Sequence, residues 1–160
     1  MEQAKNYLQM QKLLRPEQVK HSEYQAALYL LSTDSELTDV AKRYISTEGI
    51  NFSALKKATK GFDEPIQQAV DVAHNLFSYN SNCSVSPFDL SRMGYPMMDH
   101  VCNALFIAGD QYRVEVTQDK SGNWTLDLDS SRYEKNKQAQ IFLESLSKEA
   151  NLLERIAMER

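Results

Sequence analysis

Along most of this chain the apolar positions recur at intervals of three and four. Near residue 112 they switch to every second residue, and beyond residue 130 they return to three and four. In residues 2–14 Ala4, Tyr7, Leu8, Met10 and Leu14 share one helical face. Arg15-Pro16 ends that segment, since proline removes a donor and crowds the turn before it. Ser22 stands three residues before Gln25, the spacing of a capping box, and opens a helix with Tyr24, Ala27, Leu28 and Leu31 on one face. Ala26, Tyr29 and Leu30 occupy its other sides, so this helix is predicted to be central and almost wholly buried.

A Ser or Asp near 33–35 caps the next helix, where Leu37, Val40, Ala41 and Tyr44 fall at i, i+3, i+4 and i+7; Glu48-Gly49 breaks it. Asn51 then caps a short helix over 52–59. Asp63-Glu64-Pro65 starts a longer one to about Tyr79, with Ile66, Ala69, Val70, Ala73, Leu76 and Phe77 facing inward. A polar loop, 80–86, leads through Ser86-Pro87 into a short helix, and another helix runs from about Pro96 to Ala108. In that helix the expected buried seam is Met98, Val101, Cys102 and Leu105.

The change of period is a hairpin signal. "YRVEVT" and "WTLDLD" alternate strictly around the turn-forming run "QDKSGN". One apolar face requires Tyr112, Val114, Val116, Trp124, Leu126 and Leu128 on the same side. The expected register sets Val116 opposite Trp124, Val114 opposite Leu126 and Tyr112 opposite Leu128, with Arg113 meeting Asp127. The last helix carries Ala139, Leu143, Leu146, Ala150, Leu153 and Ala157 at spacings of 4, 3, 4, 3 and 4, the alternation of a coiled-coil seam, widened by Phe142, Leu152 and Ile156. At 1.5 Å per residue it is about 40 Å long. Its stripe is expected to be covered from within, by Tyr7, Met10 and Leu14 of the first helix, leaving a monomer. A homodimer through the C-terminal helix is the alternative.

The pattern predicts a mainly α (α+β) fold: one domain, 1–160, of six or seven helices with one β-hairpin followed by a long helix. Its parts are a helical body over 1–110, the hairpin over 111–130 and the helix over 131–158. With 42% hydrophobic and 25% charged residues the chain is ordinary for a globular protein. A net charge of −4, spread over both halves, gives no electrostatic footprint for nucleic acid. The densest basic patch is Lys56, Lys57 and Lys60, with Lys42 and Arg43 just upstream, expected to be a solvated face; a nucleic-acid-associated regulator acting through these residues is a further alternative. The charged N-terminus lacks the apolar core of a signal peptide, no apolar run reaches membrane-spanning length, and two cysteines do not make a disulfide framework. The expected location is the cytoplasm.

Asp99, His100 and Cys102 offer the side chains of a nucleophile, a base and an orienting acid. However, helical neighbours stand three or four apart, and no pair among these three does, so they form no dyad. Cys83, His74 and His100 are the residues of an alternative enzyme or metal reading, but none has structural-zinc spacing. The carboxylate pairs Glu36/Asp39 and Glu64/Asp71 lack apolar neighbours to raise one pKa. No motif calls for a cofactor. Aromatic residues are concentrated in the middle of the chain: Tyr24, Tyr29, Tyr44, Phe62, Phe77, Tyr79, Phe88, Tyr95 and Phe106. Tyr29, Tyr44, Tyr79 and Tyr95 are the expected binding residues, because tyrosine offers apolar area with a polar tip.

The stretches "EYQAALYLL", "ISTEGI", "VAHNLFS" and "VSPFDL", within about 22–107, resemble a group of small, uncharacterised helical proteins of Gram-positive bacteria and their phages. In that group a Trp or Gly-rich run often follows the "EGI" segment, where this chain has "NFSALKK". The resemblance implies a helical fold and a phage or mobile-element setting, and carries over no catalytic residue. Together these readings point to a non-catalytic binding protein that acts on a host or defence protein through protein–protein contact.

Overall fold

The computed structural model describes residues 2–160. Eight helices lie among the described residues: α1 Glu2–Gln11, α2 Ser22–Leu31, α3 Ser35–Ala41, α4 Phe52–Ala58, α5 Glu64–Phe77, α6 Pro87–Ser91, α7 Met97–Ala108 and α8 Ser131–Met158. Two antiparallel hairpins join them, β1 Ile45–Ser46 with β2 Gly49–Ile50, and β3 Arg113–Gln118 with β4 Trp124–Asp129. The fold is therefore mainly α, with seven helices before the long hairpin and one after it.

Helix α2 is the axis of the core. Residues Ala26 to Leu31 are all buried, and α1, α3, α5 and α7 surround them. Most polar side chains that enter this region are hydrogen-bonded, though the buried His74 Nδ1 has no partner among the described residues. Asn6 donates to the Ser32 carbonyl and to the Ser35 hydroxyl, both at 3.1 Å. Gln18 donates to the Thr47 carbonyl at 3.0 Å and accepts from the Arg15 N–H at 2.8 Å. Asp34 caps α3 by accepting from the Leu37 N–H at 2.8 Å, and Asn51 caps α4 through Ala54. Ser86 and Asp89 form a reciprocal capping box on α6.

Four sequence expectations are corrected. Ser22 and Gln25 do not make a capping box. Gln25 donates instead to the Val19 carbonyl, and its carbonyl accepts from the Val114 N–H at 3.1 Å, tying β3 to α2. The segment 45–50, expected only as a helix break, is a small hairpin pairing Ile45 with Ile50 and Ser46 with Gly49. Gly49 adopts φ +126°, which L side chains rarely adopt, and a Cβ there would also crowd the Tyr24 hydroxyl at 3.2 Å.

The long hairpin has the expected apolar face but a register slipped by two. Val116 pairs with Leu126, Val114 with Leu128, and Gln118 with Trp124; Arg113 meets Asp129, while Asp127 faces Glu115. A slip of two preserves which side every residue faces. Its cause is the loop. Asp119 accepts from the Ser121 and Asn123 N–H groups at 2.8 and 2.9 Å, which centres the turn on Ser121, where the expected register centres it on Lys120.

The first helix does not cover α8. Tyr7, Met10 and Leu14 are buried in the body, and the apolar face of the long hairpin packs on that same core, with β4 against α1 and β3 against α2. The hairpin thus occupies the place α8 was expected to take. No side chain of α8 is buried.

Candidate interaction surfaces

Among the described residues, the ring contacts, ion pair and hydrogen bond that fix helix α8 to the body lie at its root. Tyr133 lies edge-on to Phe106 and Tyr112, with ring centroids 5.3 and 6.0 Å apart, and those two rings stack at 4.6 Å. Arg132 pairs with Asp110, and Asn136 donates to Gln111 at 3.1 Å. Asp110 sits at φ 58°, a left-handed position that Asp tolerates, so the chain turns sharply after α7 and presents its carboxylate to α8. Beyond Asn136 the helix carries a run of exposed apolar side chains: Ile141, Phe142, Leu143, Leu146, Leu152, Leu153 and Ile156, each between 43 and 66% exposed. Exposure of this extent on one element is unusual for a surface with no partner.

The four tyrosines expected to bind fall in different places. Tyr29 is buried, so it belongs to the core and presents no surface. Its hydroxyl accepts from Asn103 at 3.0 Å and lies 3.4 Å from His100 Nδ1, and burial raises its pKa. Tyr44 is half-buried and lines a shallow cleft of about 380 Å³ with Arg43, Glu48 and Asn51. Tyr79 and Tyr95 are 92 and 87% exposed, and between them Phe88 is 65% exposed. The two exposed tyrosines are thus free to contact a partner, whereas Tyr29 is not.

Residues of the enzyme or metal alternative separate as well. His100 stays with Tyr29, and burial lowers its pKa against the opposing pull of Asp99. Cys102 is exposed on the outer side of α7 and Leu105 is 48% exposed, so the predicted seam is wrong by one step around the helix; the buried positions are Val101, Ala104 and Ile107. That phase brings His100 and Asn103 to the Tyr29 hydroxyl, a polar demand that apolar periodicity does not register.

Lys56, Asp71 and Ser84 line a cleft of about 460 Å³, and the charges of Lys56 and Asp71 act on both Cys83 and His74. Lys56 pairs with Asp71 at 2.7 Å, and the Ser84 N–H and hydroxyl both donate to the same carboxylate. Burial alone would raise the Asp71 pKa, but Lys56 and Ser84 outweigh it and hold the carboxyl below its ordinary range. Burial and the neighbouring Asp71 push the Cys83 thiol up, which disfavours the thiolate a nucleophile needs. His74 stacks on Phe52 at 4.8 Å, and burial and Lys56 lower its pKa. Among the described residues, no group of three or more His, Cys, Asp or Glu is arranged to hold a metal ion.

No family model, curated protein or solved structure matches this chain. Among the described residues no helix is long and apolar enough to cross a membrane. The basic patch is partly spent on internal pairs: Lys42 on Asp39 at 3.0 Å and on Gln9 at 2.8 Å, and Lys56 on Asp71. Lys57 and Lys60 remain exposed.

Proposed function

We propose that this chain is a non-catalytic binding protein that works through protein–protein contact. The observation that carries the reading is α8, whose apolar stripe extends past the body with nothing among the described residues covering it. Tyr79, Phe88 and Tyr95 are further exposed aromatic side chains of the kind that protein interfaces favour. The Cys83 cluster does not favour a thiolate nucleophile, because burial and Asp71 push its thiol up and the Asp71 carboxylate is engaged by Lys56 and Ser84. The setting we infer, a phage or mobile-element accessory that modulates a host or defence protein in the cytoplasm, rests on the resemblance over about 22–107.

Photo-cross-linking in living cells tests the reading. A benzophenone amino acid at Tyr79, Tyr95 or Leu153 should give discrete protein adducts, and the same group at exposed Lys120 should not. Absence of a discrete protein adduct from all three positions would overturn it.

A further inference from the structure

The stripe on α8 is self-complementary. Two heptad frames fit the helix. One, through Ala139, Phe142, Leu146, Glu149, Leu153 and Ile156, buries a carboxylate; the other, through Ala139, Leu143, Leu146, Ala150, Leu153 and Ala157, is wholly apolar. In the second frame, turning a copy of the helix end for end about a two-fold axis at Lys148 brings like against like. Leu143 meets Leu153 of the second copy, Leu146 meets Ala150, and Ala139 meets Ala157. On the flank Phe142 then meets Ile156. The three alanines let the two backbones approach closely where no leucine fills the space.

Charge selects the same direction. A parallel pair in register sets Glu149 against Glu154 of the second copy, on both sides, and aligns the basic starts, Arg132, Lys135 and Lys137, with each other. The antiparallel pair sets Gln140 beside Glu154, relieves both Glu149–Glu154 contacts, and carries the basic start toward a mixed end that holds Glu154, Arg155, Glu159 and Arg160. Among the helical positions flanking the seam, its one like-charge contact is Glu149 with its own copy, on the solvent edge. Area is sufficient: the exposed parts of Phe142, Leu143, Leu146, Leu153 and Ile156 amount to on the order of 500 Å² per copy, so a pair buries about 1,000 Å², the lower bound of specific interfaces. Among the described residues the last side-chain hydrogen bond from α8 to the body is at Asn136, no α8 side chain is buried, and the seam begins beyond it at Ala139.

We propose that α8 pairs antiparallel with α8 of a second copy of this chain, making a two-fold dimer with its axis at Lys148. This inference rests on the protein-contact reading and names the partner for α8. Light scattering tests it: the native protein at tens of micromolar should show twice the 18.3 kDa chain mass. A Leu146→Glu, Leu153→Glu variant should show the single mass while its body keeps its near-ultraviolet Trp124 signal. Direction is tested by disulfides in a Cys83→Ser, Cys102→Ser background. A mixture of Ala139→Cys and Ala157→Cys chains should cross-link, and Ala139→Cys alone should not. A native monomer throughout, or Ala139→Cys alone cross-linking as fully as the mixture, would overturn the antiparallel pair. The broader reading survives either result as long as photo-adducts with another protein persist, and falls only when they too are missing.

Discussion

Asp71 is held by a lysine ammonium and by two donors from Ser84, and its side chain is only 15% exposed. Because Lys56 and Ser84 depress its folded pKa below the ordinary 3.8, the unfolded chain takes up that proton first as pH falls. The stability it contributes is therefore complete above about pH 5 and is lost as pH drops through the carboxylate range. An Asp71→Asn variant should unfold about 1–3 kcal/mol more easily at pH 7, as expected for hydrogen bonds to a charged group. The gap should close toward pH 3, as read from urea midpoints at each pH. A pH-independent difference would mean that shape and not charge is what Asp71 supplies. Thiol reactivity gives a second residue-scale outcome. With Cys102 exposed and the Cys83 pKa raised by burial, a disulfide reagent at pH 7.5 should modify Cys102 first, as single-cysteine variants would show. The hydrophobic pattern implied the reverse order, because it counted Cys102 among the apolar seam and could not register that His100 and Asn103 are wanted by the Tyr29 hydroxyl.

At the scale of elements, period and punctuation carried a great deal. The starts of α3, α4, α5 and α6 lie where Asp34, Asn51, Pro65 and Ser86 signal them, and the long hairpin lies where the period becomes two. What escaped was set by short-range polar bonds. Asp119 closes the loop and shifts the register by two, and Gly49 permits a hairpin too short to show any alternation. Register is directly testable. In a Cys83→Ser, Cys102→Ser background, Thr117→Cys with Thr125→Cys should form a disulfide on mild oxidation, since these two residues face each other and their hydroxyls lie 3.0 Å apart. Thr117→Cys with Asn123→Cys, the pair demanded by the register expected from the sequence, should form it far more slowly. Equal yields would mean that the strands slide between the two pairings.

For the whole molecule, the consequential feature is a helix of 28 residues that leaves the body after its first turns. Its length and seam were legible in the sequence; what covers them was not. The stripe matches the first helix as well as it matches itself, and only the packing of the long hairpin on α1 and α2 removes the first solution. The antiparallel pair then sets the two bodies at opposite ends of a rod, their Ser131 residues about 50 Å apart along its axis at 1.5 Å per residue. The most direct measurement is a pulsed-EPR distance between spin labels on Lys137→Cys in the Cys83→Ser, Cys102→Ser background, a position on the outer side of the helix and clear of the seam. The antiparallel pair centred at Lys148 predicts a single distance of about 35–40 Å. A distance under about 20 Å, as a parallel pair would give, or no dipolar modulation at all at tens of micromolar protein, would contradict it.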